Sequence, residues 1–119
     1  AYTGTHDNPP FAAYVNSLAE WEKERFSHDF RRECEKFGII SEAQSAEEYA
    51  AEAVRLAFAS PSFLCVAPLA DLLSLGEEAR INAPSTLSTQ NWSFRFSEEQ
   101  VFSPAVKETL LRLEEEYQR

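Results

Sequence analysis

The chain has 119 residues, 44% of them hydrophobic, and its 20 acidic against 11 basic side chains give a net charge of −9. That length can bury a single core, so residues 1–119 read as one segment without a second domain. A nucleic-acid partner demands a basic stripe to neutralise phosphates, whereas here the basic residues are scattered and Arg31-Arg32 is the one adjacent pair; nucleic acid and anionic membrane surfaces are therefore excluded as partners.

Residues 1–5 read as a strand, and Pro9-Pro10 marks a helix start. Phe11, Tyr14, Val15, Leu18, Trp21, Phe26, Phe30, Cys34 and Phe37 recur at steps of mostly three and four. That period predicts one long amphipathic helix, with Gly38 as its stop. Ser45-Ala46-Glu47-Glu48 is a capping box that opens a second helix running to about Ala59. Its many alanines allow a neighbouring element to approach closely. Pro61 breaks it, and Phe63-Leu64-Cys65-Val66-Ala67 reads as a fully buried strand.

Asp71 to Leu75 reads as a short helical turn closed by Gly76. A loop of about 15 residues follows, too long for a bare connector and so a candidate binding element. Ser103-Pro104 caps a last helix with Val106, Leu110, Leu113 and Tyr117 on one stripe and Glu108 paired to Arg112 on its outer face. Strand, helix, helix, strand, short helix predicts an α/β fold. Cys34 and Cys65 have no metal or redox spacing and are expected to pack as small hydrophobes rather than to form a disulfide.

The most informative stretch is Tyr2-Thr3-Gly4-Thr5-His6-Asp7-Asn8-Pro9. Successive side chains of a strand point to opposite faces, so His6 and Asp7 can serve one site only where the strand stops and the backbone turns. In parallel α/β folds that lip, between strand and helix, is where ligands bind. The competing reading is an ordinary turn, which Asn8 and Pro9 favour.

The run from Tyr2 to Asn8 resembles the Tyr-Thr-Gly-Thr-His-Asp-Asn segment of the amylomaltases, the 4-alpha-glucanotransferases known in plants as disproportionating enzyme. A second similar block comprises Ala67-Pro68-Leu69, Asp71-Leu72-Leu73, Leu75-Gly76 and Glu78-Ala79-Arg80, followed by Asn82 and Pro84. A third is Asn91-Trp92 with Phe94-Arg95-Phe96. The three blocks span residues 2–96. The chain departs from the family's pattern at Pro9-Pro10-Phe11-Ala12-Ala13-Tyr14. It departs again at Ile81-Asn82-Ala83-Pro84-Ser85, where Ser85 replaces a glycine with free access to positive φ. The loop around Ser85 is therefore expected to sit differently, which bears on substrate contacts there.

The resemblance implies the C-terminal portion of a (β/α)8 TIM barrel, its seventh and eighth βα units. A complete barrel needs about 250 residues, so we expect a segment of a longer protein, cytoplasmic, or plastid if from a plant or alga. Alone it should be helix-rich and inactive. With strand edges and apolar stripes uncovered, it should also self-associate, as a two-fold dimer, or repack as a small helical domain.

The implied activity is transfer of α-1,4-glucan segments between maltooligosaccharides by a retaining double displacement, which needs a carboxylate nucleophile and an acid/base about 5 Å apart. The family's counterparts of those two residues lie upstream of this chain. By the same resemblance Asp7 is the third carboxylate, the transition-state stabiliser that hydrogen-bonds ring hydroxyls. His6, Asn8, Asn82 and Pro84 are implied to bind substrate, with the competing reading for Asn82 that it satisfies its own turn. No cofactor is implied. Trp92 and Tyr14 could stack on sugar faces, but aromatics in such sequences are more often core and both are expected there; Arg95 is expected to pair with a carboxylate of the barrel floor.

Two rival readings compete with this one. The pairs His6-Asp7 and His28-Asp29 suggest a metal-dependent hydrolase, but such sites usually need three or more convergent ligands and these are the chain's two histidines; no metal is expected. The other rival is a non-catalytic helical interaction module.

Overall fold

The computed structural model describes residues 1–118. Six α-helices follow one another: α1 (Phe11–Ser17), α2 (Glu20–Glu35), α3 (Ala46–Ala59), α4 (Leu69–Leu72), α5 (Glu98–Val101) and α6 (Pro104–Tyr117), with a 3-10 turn at Glu77–Ala79 between α4 and α5.

The centre of the fold is α3, against which α1, α4 and α6 pack. Its buried face is Ala46, Tyr49, Ala50, Ala53, Val54 and Ala57, spaced by three and four as one side of a helix requires. The small residues let α1 come close through Ala12 and Val15. Between α2 and α3 lies an aromatic cluster in which Tyr49 meets Phe26 and Phe30 edge-on, at centroid distances of 5.2 and 5.3 Å. The Tyr49 hydroxyl donates to Ser27 Oγ at 2.8 Å, which satisfies the polar end of a buried ring. Glu52 accepts the Ser41 hydroxyl and the Glu42 N–H, holding the 39–45 connection along α3.

Several helix signals act as read. Gly38 takes φ 72°, and the Ile39 and Gly38 N–H groups bond back to the Cys34 and Glu35 carbonyls, a Schellman closure with buried Ile39 sealing onto buried Cys34. At α3, Glu48 N–H donates to Ser45 Oγ and the Glu48 carboxylate accepts Ser45 N–H, both at 3.2 Å. Pro104 opens α6 with Ser103 as its cap. Burial pushes the Cys34 thiol up to about 11, so it behaves as a packed apolar group. No disulfide joins the two cysteines.

Other expectations are corrected. The long helix breaks at Leu18 and Ala19, both extended, because Glu22 caps the Ala19 N–H at 2.8 Å and so starts a new helix there. The two expected strands reduce to one parallel bridge, Tyr2 with Val66, with Val66 N–H on the Ala1 carbonyl at 2.9 Å. Pro68 explains why pairing stops. The next rung needs an N–H at that residue, and proline has none.

The 63–67 segment is also not buried: Phe63, Leu64 and Val66 are exposed. The helical turn starts at Leu69 and is closed by Ser74 at φ 51°, while Gly76 is extended. Among the described residues no ion pair joins Glu108 to Arg112. Instead Arg55 of α3 pairs with Glu116 and donates to the Tyr117 hydroxyl at 2.9 Å, tying α6 to the centre. Val106 and Leu113 of the α6 stripe are buried, whereas Leu110 is exposed.

Candidate functional site

The residues after the bridge form a compact loop, Gly4–Pro10, that staples itself. Asn8 Oδ1 accepts the Thr5 N–H and the Thr5 hydroxyl, both at 2.9 Å, while Asn8 N–H returns to the Thr5 carbonyl at 3.1 Å. An amide that bonds the backbone a few residues away fixes a tight turn, and this one leaves His6 and Asp7 projecting from its tip. Their side chains are about half exposed, 54% and 49%.

The second wall comes from the 80–92 loop. Trp92 N–H donates to the Ile81 carbonyl at 2.6 Å, doubling the chain back on itself. Asn91 bridges Ala83 N–H to Thr86 across the bend. Trp92 sits at φ 63°, which is unusual for a bulky residue and which the Ile81 bond holds in place. Its ring lies over His6 at a centroid distance of 5.1 Å, tilted by 37°. Asn82 Nδ2 donates to Asp7 Oδ1 at 2.7 Å, and His6 Nε2 is 3.5 Å from the same oxygen. An acceptor carboxylate, an imidazole, an amide and an indole face thus converge on one spot. Such a set can bond hydroxyls and stack on a flat apolar face.

Behind this surface Asp71 of α4 is buried, 2% exposed. It accepts the Thr3 hydroxyl on one carboxylate oxygen and the Phe11 N–H on the other, the latter at 2.8 Å.

The structure therefore brings together His6, Asp7 and Asn82 of the expected site residues. Asn8 is the staple of the loop, its carbonyl committed to Thr5. Pro84 lies in an exposed turn next to Ser85. Ser85 takes φ 63°, the left-handed conformation that glycine adopts without strain. Two expectations about aromatics fail, since Trp92 is 57% exposed and Tyr14 42%. Arg95 donates to the Trp92 and Phe94 carbonyls, both at 2.9 Å, not to a carboxylate.

Two participants were missed by sequence reasoning. Trp92 is expected in the core because aromatics in such sequences are more often core than sugar-stacking, yet its ring lies over His6. Asp71 belongs to the second resembling block and reads as the start of a turn, with no partner expected for it, although a lone acid inside Leu69-Ala70-Asp71-Leu72-Leu73 is a signal of a buried, partnered charge. A wide depression between α2 and the start of α3 shares none of the site residues. Among the described residues no group of three or more His, Cys, Asp or Glu could hold a metal ion.

Comparison with known proteins defines first the fold and then the family. The whole chain superposes on an amylomaltase from Streptococcus agalactiae solved in complex with acarbose, with a TM-score of 0.74 and 22% identity, covering 21% of that chain. The profile described as 4-alpha-glucanotransferase matches residues 1–101, and the chain belongs to that family. It is 38% identical over 118 residues to a 4-alpha-glucanotransferase of Streptococcus pneumoniae serotype 4, across 99% of this chain and 21% of the relative. It is 33% identical to one from Clostridium butyricum, across 100% of this chain and 22% of the relative. The chain thus spans about a fifth of the length of the curated relatives it matches. These likenesses favour an enzyme segment over an interaction module.

Proposed function

We propose that this chain is the C-terminal catalytic-domain segment of a 4-alpha-glucanotransferase, the last βα units of a (β/α)8 barrel. The larger enzyme transfers α-1,4-glucan segments between maltooligosaccharides by a retaining double displacement. The observation that carries this is the meeting of Asp7, His6, Asn82 and Trp92 from sequence blocks that lie far apart, in a chain of that family. The parallel contact of Tyr2 with Val66, just ahead of the loop and of α4, is the arrangement two neighbouring barrel strands would have.

In this reading the nucleophile and the acid/base lie outside the chain. Asp7 accepts hydrogen bonds from ring hydroxyls of the sugar at the cleaved bond, and these strengthen as positive charge develops at the anomeric centre. Asn82 donates to Oδ1 and so keeps the carboxylate turned, leaving Oδ2 for substrate. His6 and the face of Trp92 hold the neighbouring hydroxyls and the apolar side of the ring. Asn8 and Pro84 border the groove. Double displacement needs no cofactor. A cytoplasmic or plastid enzyme fits a chain in which no helix is long and apolar enough to cross a membrane among the described residues.

The test is maltotriose disproportionation. The full-length polypeptide should release glucose and longer chains, and the isolated segment should not. Asp7→Asn in the full-length polypeptide should lower kcat by about two to four orders of magnitude with a smaller change in KM, because the contact strengthens mainly in the transition state. Robust turnover by the segment alone overturns the assignment. A near-normal kcat for the Asn variant makes Asp7 a turn residue only.

A further inference from the structure

One buried carboxylate touches both ends of the loop that carries His6 and Asp7, and the chemistry proposed above does not use it. Asp71 is 2% exposed and sits among Leu69, Ala70, Leu72 and Leu73. A polar group in such a place costs several kcal/mol unless it is hydrogen-bonded, and its two donors both belong to the loop's borders. Thr3 stands immediately before Gly4, and Phe11 immediately after Pro10. Inside the loop the Asn8–Thr5 bonds fix the turn, and across it Asn82 fixes the Asp7 carboxylate. The loop is therefore clamped at its base, in its middle and at its tip, and the base clamp is a single side chain.

We infer that Asp71 is a positioning residue for Asp7: by holding Thr3 and Phe11 on its two oxygens it sets where the loop stands, and through the loop where the Asp7 carboxylate meets the sugar. This rests on the proposed role of Asp7. A group that stabilises a transition state must be held to within about 0.5 Å, and a misplacement of about 1 Å can cost about a hundredfold in rate. The two contacts separate positioning from plain stability. The Phe11 N–H is the first backbone donor of α1 and serves the helix, whereas the Thr3 hydroxyl serves the loop.

The experiment uses the full-length polypeptide and compares Thr3→Val, Thr3→Ser, Asp7→Asn and the Thr3→Val/Asp7→Asn double variant, with kcat, KM and Tm measured on maltotriose. Thr3→Val removes the hydroxyl and keeps the branched shape. It should lower kcat about ten- to a hundredfold while KM moves less than about threefold. Thr3→Ser, which keeps the hydroxyl, should stay within about threefold of the parent. In the Asp7→Asn background Thr3→Val should add less than about threefold, because the group it positions is already disabled. Thr3→Ala, which also lacks the hydroxyl, should follow Thr3→Val in kcat and supplies the same cycle if Thr3→Val does not fold.

Fully additive losses, or a Thr3→Val variant with lowered Tm but normal kcat, overturn the inference and leave the proposed function standing. A normal kcat for Asp7→Asn removes the role of Asp7 and this inference with it.

Discussion

The helical half and the loop half of this chain are held together by different physics. Around α3, stability comes from apolar side chains at helical spacing, with Ile39, Val54 and Cys34 among the most deeply buried, and with caps that satisfy the helix ends. Around the loop there is little apolar burial. Thr3, Thr5, Asn8, Asp71, Asn82 and Asn91 do the holding through named hydrogen bonds, while Tyr2 and Val66 of the bridge and Phe63 and Leu64 ahead of it stand exposed. The division suits a scaffold on one side and a recognition surface on the other.

The sharpest way to break this comparison is to remove apolar volume from each half. Ile39→Ala should cost about 2–5 kcal/mol, read from the denaturant midpoint of the 119-residue chain, whereas Leu64→Ala should stay within about 0.5 kcal/mol. Equal losses at the two positions would mean that 63–66 is covered in solution.

That leads to the next test, because an uncovered bridge and apolar patch favour association. We expect the isolated chain to self-associate through Tyr2, Phe63 and Val66. Val66→Lys should weaken that association at least about tenfold, or about 1.4 kcal/mol, by light scattering across a dilution series. A monomer at every concentration would refute the expectation, as would a variant that associates as tightly as the parent.

What could be read in the sequence divides along the same line. Gly38, the Ser45–Glu48 box and Ser103-Pro104 were legible because their chemistry is local: each acts on backbone within a few residues. The α1–α2 break was not, since Ala19 has no capping side chain and the apolar period runs through it unbroken; only Glu22, three residues on, carries the signal. His6, Asp7 and Asn82 were nameable from motif resemblance. That Asn82 bonds Asp7, and that Trp92 leaves the core to cover His6, depends on two loops folding toward each other, which no local pattern encodes. The strands failed for another reason. Their residues have the right character, but Pro68 and the lack of flanking strands among the described residues leave a single bridge.

Ser85 offers a smaller, local test of the loop half. At φ 63° an L-residue in the left-handed region is disfavoured by about 1–2 kcal/mol, and glycine relieves this while loosening the unfolded chain. Ser85→Gly should therefore stabilise the chain by about 0.5–1 kcal/mol and leave the Asn82–Asp7 contact unchanged. The readouts are the Tm of the variant and the chemical shifts of the Asn82 side-chain amide. A destabilised variant would show that Ser85 does not occupy the left-handed region.

The smallest expected effect belongs to the helical half and is a matter of pH. The Glu48 carboxyl lies below its ordinary 4.5 because the Gln44 and Ser45 N–H groups donate to it. A carboxylate whose folded value is depressed adds stability above its unfolded value, and that contribution fades as pH falls through the lowered folded value. It should thus be complete above about pH 5 and disappear on further acidification. Glu48→Gln keeps an acceptor oxygen but removes the charge, which also favours the start of α3. The variant should melt slightly below the parent at neutral pH, and the two curves should converge as the solution is acidified below the ordinary carboxyl range. Measuring Tm from about pH 7 to pH 3 decides it. A gap that stays constant over that range would mean that the box acts through shape alone, without the charge.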